Sequence, residues 1–268
     1  MIRTTRLLLC ALLALILVLN VTGCGYIKYL IPLNPTASAP TSPPTHESWN
    51  TLLKKYVNDQ GLVNYRGLRA DSLVLNAYLQ DLSAHLPSAG WTANDRLAYW
   101  LNAYNAATVQ LIIRHYPVKS IKDLGGDKIF VNTPWDKPFI HLASKSYTLN
   151  DLEHRIIRKQ FADNRIHLAL VCAAMSCPRL RNEAYSGPTV NAQLDDQGRD
   201  FVNNPAKNKL TPPDKPQVSS IFSFYPKDFT KNGSHSVQEF VNRYASTKIN
   251  PDAPLAYLTY NWALNEQP

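Results

Sequence analysis

Cys172 and Cys177 are the first residues in this sequence that could do chemistry. They flank Ala-Ala-Met-Ser directly after an apolar run from Ile166 to Val171. Reactive groups in α/β proteins favour loops at the carboxyl ends of strands. A thiol there becomes a nucleophile when a neighbouring imidazole or helix amino end lowers its pKa. The same two residues could instead pair as a disulfide in an oxidising compartment, or remain inert buried thiols. All three uses stay open. A zinc site is not expected, because the Cys-x-x-Cys spacing is absent and the histidines are dispersed. No metal or other cofactor is expected.

Further candidates are polar groups that periodicity turns inward. At 100° per residue, Leu149, Leu152, Ile156, Ile157 and Phe161 fall on one arc with Glu153 near its middle and His154 at its edge. A carboxylate in that position needs a cation, several donors or a raised pKa. Asn102 and Asn105 fall within the apolar arc of a longer helix carrying Leu97, Trp100, Leu101, Tyr104, Leu111 and Ile112. Two buried amides must hold backbone, side chains or a ligand. His167 interrupts the run Ile166–Val171, which reads as a central strand covered on both faces. Alternation would turn His167 and Cys172 to opposite faces, so His154 is the expected imidazole partner of Cys172. Neither Asp195 with Asp196 nor Asp123 with Asp127 suggests a glycosidase pair, because nothing places them across a cleft. Tyr257, Tyr260 and Trp262, with Asn261 and Asn265, could floor a sugar-binding cleft, although core packing is the simpler use.

Several elements must position these groups. Trp49, Leu52, Leu53, Tyr56 and Val57 mark an amphipathic helix, and a second follows Asp71 with Leu75, Tyr78, Leu79, Leu82 and Leu86. Thr92 with Asp95 caps a third, long helix that Pro117 stops. A loop-rich stretch follows, with a hairpin expected over Phe139–Leu142 and Tyr147. Thr148 with Asp151 caps a fourth helix ending near Phe161. Another helix runs from Gly187-Pro188 through Phe201. Extended pieces around Val218–Phe224, a last helix over Val237–Tyr244 and a closing strand over Leu255–Tyr260 complete the chain. Helices dominate, which predicts a single α+β domain, helix-rich around a small sheet.

Composition bounds the rest. The chain has 268 residues, 45% apolar and only 18% charged, so disordered, collagen-like and low-complexity classes are excluded. A net charge of +8 invites nucleic acid, but the amino terminus argues for export, and no nucleic-acid partner is expected. Arg3 and Arg6 precede an uncharged apolar run from Leu7 to Leu19, too short to span a bilayer and right for a signal peptide. Val21-Thr22-Gly23-Cys24 resembles a bacterial lipobox. That resemblance implies cleavage after residue 23, lipidation of Cys24 and, with Gly25 following, the outer membrane. Residues 31–48 are rich in Pro, Ser and Thr and read as a flexible tether. The expected organisation is therefore a signal peptide over 1–23, a lipidated cysteine and linker over 24–48, and a domain over 49–268.

Several ordered motifs resemble one known family. They are Gly61-Leu62-Val63-Asn64-Tyr65, Tyr99-Trp100-Leu101-Asn102-Ala103-Tyr104-Asn105-Ala106, Leu152-Glu153-His154-Arg155-Ile156-Ile157-Arg158, His167-Leu168-Ala169-Leu170-Val171-Cys172, Cys177-Pro178-Arg179-Leu180 and Tyr260-Asn261-Trp262. The chain is similar through these to the family catalogued as domain of unknown function 547, found in bacteria and plants, to which no settled activity belongs. In that pattern the position of Cys177 is often serine in plant-type members, whereas Cys172 matches a cysteine. This favours Cys172 as a functional thiol. Ala173 stands where the pattern usually has glycine.

The combined expectation is a protein on the periplasmic face of the outer membrane, held to the membrane by its lipid. It would have a polar pocket lined by Asn102, Asn105, Glu153, His154, Cys172 and Cys177, with His167 nearby. One reading is a cysteine-dependent hydrolase or transferase acting on an envelope peptide or amide. Cys172 would attack, His154 would act as base, and Glu153 would orient the imidazole. The other is a non-catalytic binding or scaffolding module for an envelope peptide or glycan.

Overall fold

The computed structural model of the chain describes residues 28–125 and 133–268. The expected signal peptide and Cys24 lie outside the described residues. Among the described residues no helix is long and apolar enough to cross a membrane.

The fold is built around one helix. Helix α1 spans Glu47–Tyr56, α2 Tyr65–Ala70, α3 Ser72–Ala84 and α4 Ala93–His115. The Thr92 hydroxyl accepts from the Asp95 amide at 3.1 Å, and the Asp95 carboxylate accepts from the Thr92 amide. This reciprocal box starts α4 at the expected residue. Every residue from Leu97 to Ile113 is buried, as befits a helix packed on all sides rather than along one stripe. Helices α2 and α3 and two later helices pack around it.

The hairpin forms where expected, with β1 (Ile140–Leu142) antiparallel to β2 (Lys145–Tyr147). Thr148 and Asp151 exchange cap hydrogen bonds at the start of the fourth long helix. That helix, α5, is π-helical over Asp151–Ile157 and α-helical only over Arg158–Gln160. After it come α6 (Val190–Asn203), β3 (Gln217–Ser219), α7 (Ile221–Phe224), α8 (Pro226–Phe229), α9 (Val237–Tyr244) and β4 (Ala256–Leu258). Strands β3 and β4 pair in parallel. The architecture is helix-rich α+β, but among the described residues the strands form two separate two-stranded ribbons rather than a sheet at the centre.

Two sequence expectations are corrected here. The run Ile166–Val171 is not a strand: Ile166–Leu168 is a single 3₁₀ turn. Its backbone finds partners in side chains instead of a neighbouring strand. Asn105 Nδ2 donates to Ala169 O at 2.9 Å, Asn105 Oδ1 accepts from the Val171 amide at 3.0 Å, and Gln197 Nε2 donates to Leu168 O at 2.8 Å. Buried backbone groups must be paired, and buried amides do it here. The second correction concerns the expected tether. Leu33 N donates to Arg155 O at 2.9 Å and Ala37 N to Pro87 O at 3.0 Å. Thr41 O accepts from Trp91 Nε1 at 2.6 Å and from Ser88 Oγ at 3.2 Å. The stretch from Leu33 to Thr41 is thus a strap fastened along the domain.

Hydrophobic residues gather in two clusters. The larger surrounds α4, and the smaller joins Leu168 to Phe201, Phe222, Phe229 and Phe240. Tyr260 packs against both, and the candidate site opens beside it.

Candidate functional site

Six segments line a cavity of about 210 Å³. Tyr104 comes from α4, Glu153 from the π-helical stretch, and His167, Leu170 and Cys172 from the turn that replaces the expected strand. Phe224 and Tyr225 follow from α7 and its end, and Tyr260 and Trp262 from the C-terminal segment; Trp135 and Cys177 complete the wall. The π-helical turn matters locally, since such wide turns are rare and concentrate at functional sites.

The polar centre is a chain of three groups. His167 Nε2 lies 2.8 Å from Asp228 Oδ2, and His167 Nδ1 faces Glu153 Oε1 at 3.6 Å. Asp228 also accepts from Arg158 Nε at 2.5 Å and Lys231 Nζ at 2.7 Å. Burial alone would raise its pKa, but the hydrogen bonds from His167, Lys231 and Arg158 hold it well below the usual carboxylate range. Being ionised, Asp228 can only accept, so Nε2 of His167 donates to it, and Nδ1 is turned toward Glu153. The Tyr225 ring stacks on the imidazole with centroids 3.7 Å apart. Burial, reinforced by the Glu153 carboxylate, pushes the Tyr225 hydroxyl far up its scale.

Glu153 is only 5% exposed. Its Oε2 receives a long hydrogen bond from the Tyr104 hydroxyl at 3.4 Å, and its Oε1 has no hydrogen-bond partner. The periodicity that placed this carboxylate inside the helix arc is matched by its burial. The arginine that could have neutralised it, Arg158, is committed to Asp228 and to His154.

The expected site residues divide. Glu153, His167, Cys172 and Cys177 line one cavity. His167 and Cys172 were expected on opposite faces, but with no strand there the alternation does not apply. His154 does not line this cavity and lies in an adjoining one. Its Nδ1 faces Arg158 Nη1 at 2.8 Å, and burial lowers its pKa. The guanidinium can only donate, so that nitrogen is occupied as an acceptor and is not placed to serve Cys172 as a base. Asn102 and Asn105 are braces rather than pocket walls. Asn102 exchanges two hydrogen bonds with the Tyr185 backbone, at 2.7 and 3.0 Å, while Asn105 grips Ala169 and Val171. Cys172 and Cys177 are joined in a disulfide, so neither is a free thiol, and the Tyr260 hydroxyl lies 3.2 Å from each sulfur. Behind the disulfide, Lys207 donates to the carbonyls of Met175 and Cys177. Burial lowers its pKa to about 8.

Sequence reasoning missed Asp228, Tyr225, Tyr104 and Trp135. Asp228 sits in a four-residue helix opened by Pro226, too short for any periodicity to mark it as inward-facing. Tyr104 falls in the apolar arc of α4, where a hydroxyl reaching a carboxylate leaves no mark on the pattern. Among the described residues no group of His, Cys, Asp and Glu side chains converges in a way that could hold a metal ion.

Residues 88–202 match the model of a family described as protein of unknown function, DUF547. The match supports that domain family for this segment, which holds Glu153, His167 and both cysteines. Asp228, Tyr225, Tyr260 and Trp262, which complete the site, lie beyond it. No curated protein and no solved structure matches the chain significantly.

Proposed function

We propose that this chain is a lipid-anchored protein of the bacterial envelope, on the periplasmic face of the outer membrane, whose domain binds an envelope peptide or glycan in the Glu153 cavity. The anchoring rests on the sequence around Cys24. The binding reading rests on one observation: Glu153 Oε1 is buried in the wall of an aromatic cavity with no hydrogen-bond partner. A buried acceptor left unsatisfied costs about 1–3 kcal/mol, more when charged. A ligand that supplies an N–H or O–H donor recovers that energy. The aromatic lining by Tyr104, Trp135, Tyr225, Tyr260 and Trp262 suits the rest of such a ligand, an amine or an amino sugar.

The test is calorimetric titration of the full-length chain in detergent with amino-sugar and amine-bearing peptide fragments. Glu153→Gln keeps the shape and removes the charge. It should weaken binding about 10- to 100-fold, the worth of a hydrogen bond to a charged group. Equal affinity of the variant and the parent would remove the basis of this reading.

The second reading is a cysteine-dependent hydrolase or transferase. It is favoured by His167 and both sulfurs sharing one cavity. It requires the Cys172–Cys177 bond to be reduced first by an external dithiol, which gives up two electrons and two protons and becomes a disulfide in turn, with His167 in the role expected of His154. Cys172 would then add to an amide carbon, the C–N bond would break with a proton passing to the amine, and water or another nucleophile would release the acyl group. After reduction, Cys172 should alkylate faster than free cysteine at neutral pH, and Cys172→Ser should abolish turnover. Slow alkylation would exclude it.

A further inference from the structure

We propose that the cavity on the outer side of α5, with the apolar side chains around it, is a docking face for an anionic phospholipid bilayer. Its cations would receive lipid phosphates. This cavity, of about 660 Å³, adjoins the Glu153 cavity at Asn150, Phe224 and Tyr225.

Three observations converge on it. The first is charge. Arg158, Lys159, Lys227 and Lys231 line the cavity and Asp228 is the one carboxylate among its lining residues. Asp228 is already shared by Arg158 and Lys231. Lys159 and Lys227 are exposed and have no carboxylate partner among the described residues. The face therefore has a surplus of positive charge that the protein does not neutralise.

The second is apolar exposure in the same place. Leu30 (68% exposed) and Phe224 (50%) line this cavity, and Ile31 (57%) follows Leu30 in the chain. Large apolar side chains set among lysines are the composition of a surface that lies in the headgroup region, apolar groups toward the acyl boundary and cations on phosphates. A soluble anion would have use for the lysines but none for these three side chains.

The third is where the described chain begins. Lys28–Leu30 forms a 3₁₀ turn packed against the π-helical stretch, with Tyr29 edge-on to His154. Outside the described residues, 27 residues precede this point, among them the apolar run Leu7–Leu19 and Cys24. The segment that would enter or be joined to the membrane thus meets the domain at this face. The inference shares the envelope location with the reading above but not its dependence on Glu153.

The experiment uses the acylated chain beginning at Cys24 on two kinds of vesicle, phosphatidylcholine alone and phosphatidylcholine mixed with phosphatidylglycerol. Lysines are acetylated and the sites are quantified by mass spectrometry. Lys159 and Lys227 should be labelled at least about fivefold more slowly on the anionic vesicles. Lys54 and Lys215, exposed elsewhere, should react alike on both. About 0.5 M salt, which shortens electrostatic screening to a few ångströms, should erase the difference. The variants Leu30→Glu and Lys159→Glu/Lys227→Glu should each lower anionic-vesicle protection at Lys231. Equal labelling of Lys159 and Lys227 on the two vesicles, or protection spread evenly over all lysines, would overturn the proposal. A chain that ignores phosphatidylcholine vesicles would refute the lipid anchor alone, because protection on the anionic vesicles still decides the docking face.

Discussion

Replacing Asn105 with alanine should destabilise the protein by about 3 kcal/mol. The side chain is 3% exposed and makes two hydrogen bonds, to Ala169 O at 2.9 Å and from the Val171 amide at 3.0 Å. Both backbone groups belong to buried residues with no strand alongside. In Asn105→Ala each is left unpaired, at about 1–3 kcal/mol apiece, so the full penalty is about 2–6 kcal/mol. The space vacated by the amide is polar on two sides, and a water molecule entering it would recover part of that, which sets the expectation near the middle of the lower half. Equilibrium urea unfolding followed by tryptophan fluorescence measures it, as a fall in midpoint at constant slope. Asn105→Asp should be at least as damaging, since it places an oxygen against the Ala169 carbonyl. The turn that Asn105 holds leads directly into Cys172, so Asn105→Ala should also make the Cys172–Cys177 bond easier to reduce. A loss below about 1 kcal/mol for Asn105→Ala would refute the idea that this amide substitutes for a missing strand.

Three further outcomes are expected. Burial lowers the pKa of His46 to about 4 in the folded chain, against 6.5 for the free side chain, so folding favours its neutral form. Its contribution is present above about pH 6.5 and is lost as pH falls to about 4, up to about 3 kcal/mol in all. His46→Asn suits the left-handed backbone (φ 57°) at this position and should flatten urea stability across that window; an unchanged slope would assign it to other groups. Ala173 adopts φ 57°, a conformation costly for any side chain, so Ala173→Gly should raise stability by about 0.5–1 kcal/mol in thermal unfolding, and a loss would contradict it. Closing the short loop between Cys172 and Cys177 should stabilise by about 2 kcal/mol, read as the drop in urea midpoint on reduction, with Cys177→Ser showing no further drop.

Much of the frame was legible because local signals coincided with tertiary use. The Thr92–Asp95 box begins α4 where it should, and the inward asparagines and Glu153 are buried as their arcs require. Ala173 departs from the glycine of the family pattern, and its positive φ explains why glycine would suit that position. The run Ile166–Val171 failed because a short apolar stretch only signals burial, and periodicity cannot separate a buried strand from a buried turn. What decided it was a pair of amides, Asn105 and Gln197, far away in sequence. The choice of His154 over His167 followed from that same misread strand. Asp228, the residue that fixes the imidazole, was invisible because a single-turn helix has no face to read.

The strap from Leu33 to Thr41 changes how an anchored molecule would behave. A linker of eighteen loose residues would let the domain roam through a large volume above the membrane, meeting ligands deep in the cell wall. With Leu33–Thr41 pinned by Arg155, Pro87, Ser88 and Trp91, an acyl group on Cys24 would be separated from Lys28 by no more than about 14 Å of extended chain. Such a molecule would be moored rather than tethered. It would face the bilayer in one orientation, and its hunting ground would be a layer scarcely thicker than itself.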